Sequence, residues 1–237
     1  SQKILIKKLN ENLFVEGHLE NRKFSIDKKF LDRFLKKFNL INIDLSSKNE
    51  FSFIIHNKFQ IKDLKISSKL KIQNLKLKNA FDLKGFLPNI NNEINFSDHS
   101  IDLNYAEKNF SIKGSGNIFL QNKKDFIKYN IFKNENNLKF ETNLNVEQNP
   151  ISIGFLGYEK KKDTKATIGF NGNYYFGKKV LIENFSLKED KNLILVKDLL
   201  LDKNLKFQNF KKIHLDYFDK DMRENNLTLI SKKKTIN

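Results

Sequence analysis

Over most of its length the chain alternates apolar and polar residues with period two, which sends successive side chains to opposite faces of a strand. The clearest run is Leu138, Phe140, Thr142, Leu144 and Val146, interleaved with Lys139, Glu141, Asn143, Asn145 and Glu147. The rhythm returns in Ile101-Leu103-Tyr105, Thr164-Ala166-Ile168-Phe170, Phe185-Leu187 and Ile213-Leu215-Tyr217. In Leu70-Ile72 and Leu75-Leu77 the intervening Gln73 and Asn74 shift the phase, as a β-bulge does. Short polar clusters separate the runs: Asn91-Asn92, Gln121 to Lys124, Asn134 to Asn137, Lys160 to Asp163 and Glu189 to Asn192. Their spacing is that of consecutive hairpins, so an antiparallel meander is expected. The two prolines, Pro88 and Pro150, fall between strand patterns, and no Pro- or Gly-rich linker divides the chain. One mainly β domain over residues 1–237 is the simplest organisation.

One segment departs from period two. Phe30, Leu31, Phe34, Leu35 and Phe38 recur at helical spacing, with Lys28, Lys29, Asp32, Arg33, Lys36 and Lys37 on the other side. A short amphipathic helix over 25–39 is therefore predicted, capped by Ser25 or Asp27. It either closes one end of the sheet core or presents a basic, Phe-rich surface to a membrane. One such helix covers only a few strands, yet every strand carries an apolar face that has to be buried. The expectation is a long antiparallel sheet that curls into an open groove or half-barrel.

Composition removes several classes of function. The chain has no cysteine, so disulfides, thiolate chemistry and Cys-ligated metals are excluded. Its apolar runs are too short for a membrane helix. Lysine and arginine number 44 against 28 Asp and Glu, a formal charge of +16. That excess fits an anionic partner, and it equally fits the Lys, Asn, Ile and Phe usage of an AT-rich genome. The chain begins at Ser1 and ends near Lys232, Lys233 and Lys234 without leader or stop signature, as a fragment of a longer protein would.

No side-chain set points to catalysis. The four histidines, His18, His56, His99 and His214, are scattered, and no metal or cofactor is expected. Asp98-His99-Ser100 resembles a triad only on paper, because alternation sends His99 away from its neighbours; a turn is expected there. The stretch from Gly172 to Lys179 approaches a phosphate-binding loop, but Lys179 stands where the metal-binding hydroxyl belongs and a strand follows, so it reads as a hairpin turn. Gly114-Ser115-Gly116 lacks a third glycine and a helix, and reads as a turn or bulge. Glu189 and Asp190 lie in a turn. Lys206-Phe207-Gln208-Asn209-Phe210-Lys211-Lys212 mixes rings and cations as a single-strand nucleic-acid platform does, but the phenylalanines are expected to share a face with Leu and Ile, away from the lysines. Nucleic acid is not an expected partner.

Several stretches carry a resemblance. Phe110 to Leu120 with its Gly-Ser-Gly, Asp125 to Tyr129, Leu138 to Val146, and Phe155-Leu-Gly-Tyr-Glu-Lys160 leading into Ala166-Thr-Ile168 are similar in order to the central β-rich region of AsmA-like proteins, especially the YhdP/TamB-type envelope members. The resemblance covers about residues 64–229. It implies a curled sheet with an apolar concave face, a periplasmic location, an inner-membrane anchor through an N-terminal helix outside this chain, and a part in moving phospholipid between the two membranes of a Gram-negative envelope. It brings no catalytic residues.

The expectation is thus a non-catalytic lipid-transport module that shields acyl chains along its sheet. The residues expected to line the groove are Leu138, Phe140, Leu144, Val146, Ile168 and Phe170, with Ile112, Leu120, Ile153 and Phe155 behind them. Lys160, Lys161 and Lys162 are either contacts for phosphate at the rim or a solvated turn. The alternative is an envelope β-sandwich scaffold that binds protein or polysaccharide around a dry core.

Overall fold

The computed structural model describes residues 1–26, 40–56, 58–79, 82–161 and 164–231. Period two has become strand throughout. The elements are β1 (Gln2–Leu9), β2 (Asn12–Ile26), β3 (Leu40–Ile55), β4 (Ile61–Lys78), β5 (Glu93–Ala106), β6 (Asn109–Phe119), β7 (Asp125–Lys133) and β8 (Asn137–Val146). There follow β9 (Ser152–Ile153), a 3-10 turn (Gly154–Leu156), β10 (Tyr158–Glu159), β11 (Ala166–Tyr175), β12 (Lys179–Glu189), β13 (Asn192–Asp202), β14 (Phe207–Asn209), β15 (Lys212–Phe218) and β16 (Glu224–Ile230). Fourteen strands form one antiparallel sheet in the order β1-β2-β3-β4-β5-β6-β7-β8-β11-β12-β13-β15-β16, with β14 beside β13, while β9 and β10 make a separate pair. Neighbours in sequence are neighbours in the sheet, so most connections are short hairpins. Among the described residues β1 and β16 are each paired on one side only.

Contacts divide the chain into two compact units: Ser1–Asn79, Glu93–Ile118 and Asn130–Glu135 form the first, and Ala80–Asn92, Phe119–Tyr129 and Asn136–Asn237 the second. In the first, register places Ile4, Gly17, Phe51, Ile66 and Tyr105 in one row across β1 to β5. A Cβ on Gly17 would lie 2.4 Å from Phe51 Cζ, so that residue is glycine because a neighbouring ring covers it. The apolar face is broken by a polar patch in which Ser47 Oγ accepts from Asn21 Nδ2 at 3.3 Å and Asn49 Nδ2 at 2.9 Å.

Both units use one device to keep long strands in phase. In β4 and β5, Gln73 and Asp98 drop out of the register together between the pairs Ile72–His99 and Asn74–Ser97. In β12 and β13, Glu183 and Asp198 do the same between Asn184–Lys197 and Ile182–Leu199. Asp98 and Asp198 take left-handed φ values of 48° and 51°, a conformation Asp tolerates better than most residues. Each paired bulge presses its backbone on the next strand, and that strand carries a glycine at the contact: Gly116 against Asp98 and His99, Gly172 against Leu181 and Ile182. The phase shift read at Gln73 is such a bulge: Leu75 regains the face of Ile72.

Three expectations change. The helix predicted to start at Ser25 does not start there, because Ser25 and Ile26 continue β2, paired with Asp44 and Ile43. Residues 27–39, with Phe30, Leu31, Phe34, Leu35 and Phe38, lie outside the described residues; among those described, the sole helical turn is Gly154–Leu156. Asp98-His99-Ser100 is no turn but the middle of β5, with His99 buried and its neighbours exposed on the opposite face. Gly114 to Gly116 likewise lies inside β6, where Gly116 admits the β5 bulge.

Candidate functional site

Register in the second unit aligns apolar side chains into ladders across the strands. One ladder runs Leu144, Ile168, Leu187, Ile194, Leu215 and Leu227 through β8, β11, β12, β13, β15 and β16. The next runs Thr142, Phe170, Phe185, Val196, Ile213 and Leu229. Beyond it, Phe140 leads through Gly172 to Ile182 and Leu199, and Leu138 leads through Tyr174 and Val180 to Leu201 and Phe207. Phe140 and Phe170 meet edge to face with centroids 6.0 Å apart. All these side chains share one face, because cross-strand partners point the same way.

Burial along this face is graded. At one end Val146, Ala166 and Leu187 are each 1% exposed. Farther along, Phe140, Phe170, Phe185, Val196 and Leu199 are only half-buried. The difference is made by residues 147–161 with 164 and 165, which cover the buried end. Tyr158 is fully buried there, stacks edge to face on Tyr217 at 6.0 Å, and donates to Glu189 at 2.7 Å. Tyr217 donates in turn to the Leu156 carbonyl at 2.8 Å. Glu189 also accepts from the Lys161 amide at 2.7 Å, from Asn192 at 3.1 Å and from the Thr164 hydroxyl. Burial pushes the Glu189 pKa up, but these hydrogen bonds together outweigh it and hold the carboxyl below its ordinary value.

Neighbouring loops knit the cap from behind. Gln121 accepts from the Asn89 amide at 3.0 Å and donates to the Pro150 carbonyl at 2.8 Å. Asn149 donates to Asp125 at 2.8 Å and to the Lys123 carbonyl at 2.7 Å. Lys160, expected at a rim or in a solvated turn, is buried, and its ammonium donates to the carbonyls of Glu147 at 2.7 Å and Lys161 at 3.1 Å. Lys162 lies outside the described residues.

Asp125 is the cap's exception. It is 4% exposed, and among the described residues its Oδ1 has no hydrogen-bond partner. Burial pushes its pKa up to about 6, against the pull of Asn149, the Glu147 amide and the charge of Lys160, and with a small further push from the Glu147 carboxylate. A raised value means the folded state holds this proton more tightly than the unfolded chain. Its stabilising contribution is complete below the unfolded value and is lost as pH rises through about 6. Asp125→Asn should therefore stabilise the protein above pH 6 by up to about 3 kcal/mol and flatten the pH dependence of Tm. Parallel slopes for the two proteins would remove Asp125 from that role.

Leu138, Phe140, Leu144, Val146, Ile168 and Phe170 thus come together on one face of β8 and β11. The others separate from them. Ile112 lies in β6 of the first unit, Leu120 in the connection after β6, and Ile153 in the small β9-β10 sheet, buried in the cap. Phe155, on the 3-10 turn, is 84% exposed. Sequence reasoning passed over Ile182, Ile194, Val196, Leu199 and Leu201, which carry the face across β12 and β13. In β13 the run Leu193 to Val196 is apolar on both faces, so period two is hidden there.

The first unit offers a broad depression of about 610 Å³ that crosses β1 to β5. Its lining mixes Lys3, Lys65, Glu16 and Glu50 with His18 and Tyr105. His99 lies apart from it, buried, with its pKa pushed down by that burial. Among the described residues no three His, Asp or Glu side chains converge as metal ligands do, and no helix is long and apolar enough to cross a membrane. Compared with known protein families, with curated proteins and with solved structures, the chain matches none.

Proposed function

We propose that the apolar face of the second unit binds acyl chains, as a non-catalytic lipid-transport module of a Gram-negative envelope. The observation that carries this is the graded burial: ladders of Phe, Leu, Ile and Val continue past the cap but are only half-buried there. Water against such a face is costly, and about 25 cal/mol is recovered per Å² of apolar area covered. An acyl chain supplies cover of the right shape, at about 0.8 kcal/mol per buried methylene, so a chain of ordinary length is held by on the order of 10 kcal/mol. The ladders are chemically similar from row to row, so a bound chain can slide between near-equivalent positions without nucleotide or titrating group. The likeness to AsmA-like proteins supports the same direction and supplies the periplasmic setting. The proposal requires the sheet to bend around its cargo with headgroups left in water.

Ile168 sits in the covered ladder, paired with the buried Leu187, and Phe140 two ladders farther out where burial is partial, so an aspartate at either interrupts the face, at its covered end and its open end respectively. Phospholipid carrying a photoreactive acyl chain should crosslink to the native protein, and at least about tenfold less to Ile168→Asp or Phe140→Asp, since a buried carboxylate offsets several methylenes. Equal crosslinking in variants that still fold would refute the acyl-chain face. Native mass spectrometry bears on the scaffold alternative: phospholipid that co-purifies with the protein favours the lipid module, and its absence favours a scaffold with a dry core.

A further inference from the structure

At the end of the second unit opposite the cap, hydrophobic and basic side chains are displayed together. The β11-β12 hairpin turns at Gly177, φ 65°, and presents Lys178 and Lys179. Beside it, because Lys179 pairs with Asp202, lies the turn that leaves β13. Asp202 builds that turn, its Oδ1 accepting from the amides of Asn204 at 2.8 Å and Lys206 at 2.9 Å. Leu205 is held in the left-handed region at φ 62°, a costly conformation for leucine, with its side chain 64% exposed. Phe207 follows at 60% exposure, paired with Leu201, so it ends one ladder of the apolar face. Ser231, whose hydroxyl donates to Asn209 at 3.0 Å, ties the end of β16 to the same end of the sheet and brings there Ile230, 69% exposed and paired with Lys212 on the face opposite Phe207.

Around these three apolar side chains stand Lys178, Lys179, Lys203, Lys206 and Lys211, all exposed. The acidic groups among them are already engaged, Asp202 by turn amides and Asp198 by Lys211 at 3.6 Å. Phe207 keeps the ladder face expected of it, paired with Leu201, but it is exposed there, at the same end of the unit as the turn lysines. We propose that this end of the second unit docks on an anionic lipid bilayer, with Leu205, Phe207 and Ile230 entering the interfacial layer and the lysines meeting headgroup phosphates. Exposed aliphatic side chains at the same end as the ring favour lipid over single-stranded nucleic acid, because stacking on bases uses aromatic faces and leaves leucine and isoleucine in water. The docking builds on the acyl-chain reading: a chain that slides away from the cap reaches the bilayer at this end.

The test is flotation of the 237-residue chain with vesicles of phosphatidylcholine alone and of phosphatidylcholine mixed with phosphatidylglycerol. Binding is expected to the mixed vesicles and to weaken with salt. Each lysine near an anionic surface contributes about fivefold, so Lys203→Glu with Lys206→Glu should lower affinity more than about 25-fold. Leu205→Ser with Phe207→Ser should lower it about tenfold. Lys139→Glu with Lys188→Glu makes the same charge change on the exposed polar face, and should leave most of the binding intact. All these positions are exposed, and circular dichroism checks that each variant folds. If the control pair loses as much binding as the first pair, net charge alone is at work and the docking surface is refuted. It is equally refuted if a single-stranded oligonucleotide displaces the vesicles and depends on Phe207 but not on Leu205. Vesicle binding that follows the predicted pattern without acyl crosslinking at Ile168 would sink the acyl-chain reading and leave the docking standing, whereas crosslinking without lysine dependence would do the reverse.

Discussion

Glu189→Ala should cost on the order of 4 kcal/mol, because four donors lose a buried acceptor at once. Those donors are the Tyr158 hydroxyl, the Thr164 hydroxyl, the Asn192 amide and the Lys161 backbone N–H, around a carboxylate 1% exposed. Glu189→Gln keeps one acceptor oxygen and should lose roughly half as much. Urea unfolding gives both values, and hydrogen exchange should show the Lys161 amide opening first. A loss under about 1 kcal/mol for the alanine variant would mean that the cap is held by other contacts. The two buried carboxylates of the cap also titrate in opposite senses. Glu189, held below its ordinary pKa, contributes stability that is present above its unfolded value and is lost as pH falls through its lower folded value. Asp125 contributes stability that is lost as pH rises through about 6.

The second large effect is expected at Gly172. A Cβ there would lie 2.1 Å from the Leu181 carbonyl oxygen and 3.0 Å from Ile182 Cα, both backbone atoms fixed by the paired bulge of β12 and β13. Gly172→Ala should destabilise by about 3 kcal/mol, since a backbone pinned by ladder hydrogen bonds on both sides cannot step aside. Gly169, three residues earlier on the same strand, is the control. Its added methyl would meet Asn143 Oδ1 at 3.0 Å and Ser186 Oγ at 3.2 Å, the ends of side chains that can turn. Gly169→Ala should change stability by under about 1 kcal/mol, in either direction, because alanine also lowers the entropy of the unfolded chain. Equal losses at the two positions would show that the bulge does not press on Gly172.

Several features were legible before any coordinates. Alternation in Leu138 to Val146 identified both the strand and its apolar face, because side-chain direction in a strand follows parity alone. Gln73 was legible as a bulge for the same reason: Leu75 and Leu77 are out of step with Leu70 and Ile72 unless one residue is inserted. Other features were hidden. Gly116 reads as a turn residue in sequence, and the need for it arises from the Asp98-His99 backbone on another strand. Lys160 reads as a solvated turn lysine, yet two carbonyls from the folded cap surround its ammonium. Phe207 reads as one more core phenylalanine, and its exposure follows from β14 being a three-residue strand at the end of a ladder with nothing described beyond it.

Parity and turn residues therefore specified an antiparallel meander and divided each strand into an apolar and a polar face, since both are local properties of backbone geometry. Pairing across the strands settled what parity cannot reach: which apolar side chains fall into one ladder, which end of that ladder is sealed by Tyr158 and Glu189, and which end displays Leu205, Phe207 and Ile230 among lysines. These are relations between residues tens of positions apart. Hydrogen-bond register and the exclusion of water set them, and neither leaves a periodic mark on the chain.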